Sequence, residues 1–366
     1  MKDLVNLHRI EVSEALRKLP PIESFDVVAE REKHDDLFLA ALGFEERCLW
    51  IPELLSQARS YNAHRAIYFE YNTNRDDNEV NRPRLVNALS SFSNNVRPMP
   101  LESEEFGSQL RSLLSELCVE SVPRVTFDIS VCSSRLLIAT LTVLFEFDLM
   151  LRLVYSEACT YHPTQSEYEA DPHKWTSDDS LGLARGVGSI NRSADHPGSR
   201  RDVLPEAVIA FPTFKPERIR AILTDIDPSL LKDKKRVIWL VGKPHLQEDW
   251  WRTEVQRCIN EIPESAACYE LDTFDYKTTV EVLERVYGPL ECQYLVSIAP
   301  LGSKMQSVGV MLFWYVHPEV GLYFASPREF NAEQYSEGCK ATWKIDFGHL
   351  QEIKKILNTV GTLTFE

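Results

Sequence analysis

The sequence predicts an α/β protein made of two tandem units with mostly parallel sheets, related by internal duplication. Three observations predict it. Strand and helix patterns alternate about five times in each half. The strand segments are near-continuous apolar runs, as parallel sheets covered on both faces require. The order of segments then repeats at a period of about 170 residues.

Taken in order, "LFLAALGFEERCLWIPELL" reads as a strand, a Gly-Phe turn and a helix, and "VIAFPTFKPERIRAILTDI" does the same in the second copy. This aligns Phe44, Glu46 and Arg47 with Phe214, Glu217 and Arg218. The second strands are "RAIYFEYN" (65–72) and "RVIWLVGK" (236–243), each followed by a helical stretch. The third segments, "RPMPLESEEFGSQLRSLLSEL" and "CYELDTFDYKTTVEVLERVY", each carry a brief strand, an acidic cap region and an amphipathic helix. In fourth place, "RVTFDISVCSSRLLIATLTVLF" (124–145) and "QYLVSIAPLGSKMQSVGVMLF" (293–313) run from a buried strand through small polar residues and one cation into an apolar helix. "LRLVYSEA" (151–158) and "VGLYFASP" (320–327) close the copies. The offset is 171 at Arg47/Arg218 and Arg65/Arg236, and 169 at Arg135/Lys304 and Tyr155/Phe324.

Each copy is therefore expected to be a Rossmann-like unit of about 120 residues. The boundaries read as an N-terminal helical extension (1–35), a first unit (36–158), an inter-unit segment (159–206), a second unit (207–327) and a tail of one edge strand and a helix (328–366). The inter-unit segment is polar, without a sustained period, and longer than an ordinary connection, so it reads as a functional lid or a disordered linker.

Composition narrows the function classes. With 44% hydrophobic and 26% charged residues the 366-residue chain is ordinary for a soluble protein, and no stretch reaches eighteen uninterrupted apolar residues. The first twenty residues read as an amphipathic helix rather than a signal peptide, so a cytoplasmic location is expected. Cysteines at 48, 118, 132, 159, 258, 268, 292 and 339 form no CxxC pair, and the nine histidines show no HxxxH or HExxH spacing, so no metal and no cofactor is expected. A formal charge of −15 repels polyanions and argues against a long nucleic-acid track. A small phosphorylated ligand in a locally basic pocket is compatible with it.

Ligands of open parallel sheets bind outside the carboxyl ends of the strands, and each polar cluster falls there. "SVCSSR" opens a helix whose free N–H groups suit an anion, with Ser130, Ser133 and Ser134 as hydroxyl donors and Arg135 as a bidentate cation. "APLGSK" offers Gly302, Ser303 and Lys304. The alternative is a plain helix cap, because serine is a favoured N-cap. In the first-strand turns Arg47, Lys215 and Arg218 are candidate ligand contacts, and Phe44 and Phe214 are candidates for stacking on a base. A solvated face is the competing account of the charges there. Glu70, Asn72 and Asn74, with Lys243 and His245 opposite, are candidates for ribose or base edges. The inter-unit segment carries Trp175, Arg185, Gly186, Gly188, Asn191, Arg192, Arg200 and Arg201, a composition suited to a lid that supplies cations.

The turns "DISVCSSRLL" (128–137) and "APLGSKMQS" (299–307) resemble the small-residue and Lys/Arg turn of CARF domains. Two such units in one chain resemble SAVED domains, fused pairs of CARF-like halves in antiviral signalling proteins. The resemblance spans roughly residues 36–158 and 207–327. It implies a cyclic nucleotide or oligoadenylate held across the two halves by Ser133, Ser134, Arg135, Ser303 and Lys304. Val-Cys-Ser-Ser stands where the family has a Gly-Gly pair, and no HEPN, nuclease or protease effector is recognisable after the second copy.

These residues point to a ligand-binding sensor that takes a phosphorylated nucleotide-type ligand, a cyclic di- or oligonucleotide, in the cleft between the two halves. Bacterial antiviral signalling is the expected setting, and binding is favoured over catalysis. The expected partners are that ligand and a protein effector, with no long nucleic acid and no membrane; a homo-oligomer is compatible with it. The alternatives are a phosphodiesterase or ring nuclease using Glu46, Glu70 or His245 as acid or base, and a duplicated scaffold subunit.

Overall fold

The computed structural model describes residues 11–28, 34–58, 61–101, 105–119, 121–177, 183–199 and 203–364. The chain divides into two compact units. The first holds residues 19–164 and 332–355, and the second holds 165–331 with residues 11–18 and the last helix from 356.

Residues 11–17 are helical (α1). The elements of the first half are then β1 (Glu23–Ser24), β2 (His34–Leu42), α2 (Arg47–Gln57), β3 (Asn62–Glu70), α3 (Arg75–Ser90), β4 (Val96–Pro100), α4 (Phe106–Leu117), β5 (Arg124–Asp128), α5 (Ser134–Glu146) and β6 (Met150–Glu157). The inter-unit segment contributes β7 (Thr160–Tyr161), α6 (Gln165–Ala170), α7 (Pro172–Thr176), β8 (Ala184–Arg185) and β9 (Ser189–Arg192). The second half comprises β10 (Glu206–Ala210), α8 (Pro216–Ile226), β11 (Val237–Lys243), α9 (Trp251–Ile259), β12 (Cys268–Asp272), α10 (Tyr276–Tyr287), β13 (Leu295–Ala299), α11 (Lys304–Val316) and β14 (Gly321–Ser326). The tail forms β15 (Glu329–Phe330), β16 (Ser336–Glu337), β17 (Ala341–His349) and α12 (Leu350–Thr364).

The first sheet runs β1-β17-β6-β5-β2-β3-β4 and the second β12-β11-β10-β13-β14-β9. Five parallel strands in each take the order 3-2-1-4-5 when numbered along their own half, and each fifth strand pairs with one antiparallel strand, β17 or β9. The α/β class with two mostly parallel sheets is therefore as the sequence predicts, and the strand order repeats as well.

Alternating strand residues serve the two faces of each sheet. Phe38, Ala40 and Leu42 of β2 pack with Leu49 and Leu55 of α2 and Leu85 and Leu89 of α3. Phe69 of β3 makes edge contacts with Phe127 of β5 and Phe106 of α4. A buried ion pair fixes three neighbouring strands near their amino ends: Arg152 of β6 meets Asp35 of β2 at 2.9 Å, and both bond to Thr126 of β5. In the second unit Val208 and Ala210 of β10 pack with Ile219 and Leu223 of α8 and with Trp239 and Val241 of β11. Helices α10 and α11 approach at Gly309, where a Cβ would lie 2.6 Å from both the Tyr276 carbonyl and Thr279. A larger residue there would force the helices apart.

Two sequence expectations change. The tail strand, β17, is not an edge: it joins the first sheet beside β6, and β1 covers its far side. Ile345 and Phe347, both buried, hold it there. The inter-unit segment is not a structureless linker, since β9 pairs with β14 and Trp175 is fully buried. Both corrections share a cause, in that strands without a long apolar run are stabilised by partners remote in sequence. Among the described residues, no helix is long and apolar enough to cross a membrane.

Candidate functional site

In sheets of this order the crevice opens where the strand order reverses, between the first and fourth strands. In the first unit that place is the carboxyl end of β2 and β5, bordered by residues 43–46 and 129–133.

A buried polar cluster lies there. Arg47, the first residue of α2, pairs with Glu45 at 2.5 Å, donates to the Ser156 carbonyl on β6 at 3.0 Å, and stands over the Tyr161 ring. The hydroxyls of Tyr155 and Tyr161 are 2.7 Å apart, and the Ser336 hydroxyl donates to Glu45. Asp128, the last residue of β5, accepts from the N–H of Ser130 at 2.9 Å and from its hydroxyl. The Ser130 oxygen in turn accepts the Ser156 N–H at 2.8 Å, so one hydroxyl joins the ends of β5 and β6. The second Asp128 oxygen, Oδ2, has no hydrogen-bond partner among the described residues.

Burial pushes the Asp128 carboxyl up to about 7, against the opposing pull of Ser130 and the Arg47 guanidinium. A carboxyl raised in the folded state contributes stability that is complete below its unfolded value of 3.8 and is lost as pH rises through about 7. Asp128→Asn removes that loss. Its stability relative to the unmodified protein should rise by about 2–4 kcal/mol between pH 5 and pH 8, because each tenfold difference in proton affinity between the folded and unfolded states corresponds to about 1.4 kcal/mol. Urea melts at the two pH values measure it. An unchanged difference would show that the carboxyl is not held neutral.

The helix starts behave as caps. Ser133 is the N-cap of α5, accepting the Leu136 N–H at 3.2 Å, and its own N–H donates to the Tyr71 hydroxyl at 2.7 Å. Tyr71 lies beyond the end of β3 and so ties two turns together across β2. In the second unit Ser303 is the N-cap of α11 in a capping box: its oxygen accepts the Gln306 N–H at 3.1 Å, and Gln306 accepts the Ser303 N–H at 2.9 Å. The Ser303 hydroxyl donates to the Thr273 carbonyl at 2.5 Å. Gly302 makes room for this box, because a Cβ there would meet Gln306 Oε1 at 2.3 Å and the Phe211 ring at 3.0 Å.

The hydroxyl-and-cation pairs that look equivalent in sequence are therefore not equivalent in space. Both caps are serines, Ser133 and Ser303, so Ser134 and Lys304 are first helical residues and Arg135 falls level with Met305. The turn after β5 is one residue longer, 129–133 against 300–303. One residue is about 100° around a helix, so the two cations leave their helices in different directions. Ser134 and Lys304 are half-buried, whereas Arg135 is exposed and has no hydrogen-bond or ion-pair partner among the described residues.

The remaining predicted residues have other partners. Phe44 makes an edge contact with Tyr335, and buried Phe214 is enclosed by Tyr168, Trp251 and Arg252. Lys215, 3% exposed, donates to the Ser177 carbonyl at 2.8 Å. Arg218 donates to the Ala325 carbonyl of β14 at 3.0 Å, the same service that Arg47 gives Ser156 of β6. These two arginines are a repeated feature of the duplication, and the repeated feature is a latch on the fifth strand. Asn72 is exposed at the β3 turn. Asn74, at φ 52°, bonds to Asp77. Glu46 faces Arg84 at 3.3 Å, Glu70 pairs with Arg82, Lys243 stands 4.0 Å over Trp250 and His245 rests on Phe274.

In the inter-unit segment Trp175 donates to the Glu167 carbonyl, Arg185 lies in β8, Asn191 and Arg192 lie in β9, and Gly186 and Gly188 pack against residues 327–328. Arg200 and Arg201 lie outside the described residues. A surface cavity of about 280 Å³ opens between α2 and α3, away from the sheet edge, lined by Glu53, Ser56, Arg84, Asn87 and Ser91. Its arginine is paired with Glu53 at 2.9 Å. Among the described residues no group of three or more His, Cys, Asp or Glu is placed to hold a metal ion.

Sequence reasoning does not single out Glu45, Tyr71, Asp128, Tyr155 or Tyr161 as members of a cluster. Asp128 carries a usable signal, as an acid closing an otherwise apolar strand. Tyr161 carries none, since it lies on the segment that reads as lid or linker.

No family model matches the chain, and no curated protein matches it. Among solved structures it is similar to the glycosyl transferase family 9 protein from Veillonella parvula DSM 2008, at 10% identity and a TM-score of 0.22, covering 93% of this chain and 99% of that one. A likeness this slight carries no argument about activity.

Proposed function

We propose that the protein is a non-catalytic cytoplasmic sensor that binds a phosphorylated, nucleotide-type small molecule at the carboxyl edge of its first sheet. Arg135 supports this reading most directly. It is exposed and without a partner among the described residues, in the first turn of α5, beside the point where the strand order reverses. A cation beside a helix start is the arrangement that favours phosphate, because the helix dipole and the guanidinium add. Asn72, exposed at the neighbouring turn, supplies an amide for a ribose or base edge. The hydrogen bonds within the buried cluster beneath tie the end of β6 to β5 and α2, as a rigid floor would. The likeness of the α5 turn to CARF and SAVED domains supports a cyclic di- or oligonucleotide as the ligand, a protein effector as the reader, and antiviral signalling as the setting.

Calorimetric titration with a panel of cyclic dinucleotides and cyclic oligoadenylates tests this reading. At least one member should bind, and Arg135→Ala should weaken it about 10-fold to 100-fold, the equivalent of a charged hydrogen bond of about 1.5–3 kcal/mol. No binding by any member, or full affinity in the variant, would remove the proposal. Conversion of the bound nucleotide, seen by chromatography, would favour an enzyme instead.

A further inference from the structure

Each half of the chain donates the segment after its fifth strand to the other half. After β6 come β7, β8 and β9, and β9 pairs antiparallel with β14 through four residue pairs, from Tyr323↔Arg192 to Ser326↔Ser189. After β14 come β15, β16 and β17, and β17 pairs antiparallel with β6 through eight, from Ala341↔Glu157 to His349↔Met150. The short strands obey the same rule, since β16 pairs with β7 and β8 with β15. Every one of these four pairings joins a strand of one half to a strand of the other.

The side chains make the same exchange. In the first unit Tyr335 packs on Phe44, Glu337 meets His162 at 3.1 Å, and the Trp343 indole donates to Glu157 at 2.9 Å. In the second unit Tyr168 packs on Phe214 and Trp251, and Ser177 receives the Lys215 ammonium. Withdrawing the donated segments would leave β6 and β14 as unpaired apolar edges, which folded proteins avoid.

We infer that the two halves are interlocked by reciprocal strand exchange, the intramolecular counterpart of the exchange that joins protomers in a domain-swapped dimer. The covalent bond after Val203 is then not needed to hold the halves together. Its loss leaves all four exchanged pairings intact.

A specific protease site inserted after Val203, which is 90% exposed between β9 and β10, tests this in the full chain. After cleavage the two fragments should elute together at the uncut mass in a 1:1 ratio, with no loss at high salt, and separate only in denaturant. Elution of two independently folded fragments in native buffer would overturn the inference. A second arm covers an insertion that prevents folding: residues 1–199 and 203–366 are co-expressed as separate polypeptides with a tag on the first. The tagged fragment should carry its partner in equal amount, and failure to do so overturns the inference as well.

Discussion

Replacing His317 with alanine is expected to cost about 3–5 kcal/mol, read as a lowered urea midpoint, because it leaves a buried carboxylate without its counter-charge. His317 lies at the end of α11 and is fully buried. Its Nε2 is 3.0 Å from Glu284 of α10, and its Nδ1 is 3.2 Å from Glu319, which also accepts the Tyr287 hydroxyl at 2.6 Å. The imidazole rests against the rings of Tyr287 and Phe313. Burial alone would lower its affinity for a proton, but the hydrogen bonds to Glu284 and Glu319 outweigh burial and hold it up at about 9.

A histidine raised in the folded state contributes fully below its unfolded value of 6.5 and loses that contribution as pH rises through about 9. The gap between unmodified protein and His317→Ala should therefore be widest at pH 6 and narrow by pH 9.5. Glu284→Gln should flatten the same window, since it removes the principal partner. A gap independent of pH would mean that the ring is neutral throughout.

The second large effect is expected at Arg47. Arg47→Met should cost about 3–5 kcal/mol, because Glu45 is 8% exposed and would be left charged without its 2.5 Å partner. The Ser156 carbonyl at the end of β6 would lose its donor too. Adding Glu45→Gln to Arg47→Met should restore most of the loss, since a buried pair exchanged for neutral groups is often close to neutral in energy. Arg218→Met, at the corresponding place in the second unit, should cost about 1.5–3 kcal/mol, the range for a hydrogen bond to a charged group. There the guanidinium serves the Ala325 carbonyl, and its removal takes that donor away. An unchanged stability in Arg218→Met would contradict this account. Chemical denaturation of the two single variants and the double variant measures all of it.

The fold was largely legible because its main strands are apolar runs and its helices are amphipathic, properties carried by neighbours in sequence. The repeat was legible for the same reason. The pairing of Arg47 with Arg218 across the copies also holds in space, as two latches on the fifth strands. The candidate site was harder to read. A serine before a helix looks the same in sequence whether it caps or binds, and in both copies the hydroxyl is committed to the cap. One extra residue in the turn after β5 was enough to put Arg135 and Lys304 on different sides of their helices. Phe44 and Phe214 were legible as aromatic, and only the structure showed that Tyr335, Tyr168 and Trp251 already cover them.

By itself, the order of residues determined the class of the protein, the number of its parallel strands and their doubling, because period and apolarity act over a few neighbouring positions. Only the tertiary structure decided where β9 and β17 go, which acid answers Arg47, and that Asp128 is buried with one oxygen unpartnered among the described residues. Those outcomes rest on groups that meet across long stretches of chain or on the burial that folding creates, and no local pattern encodes either.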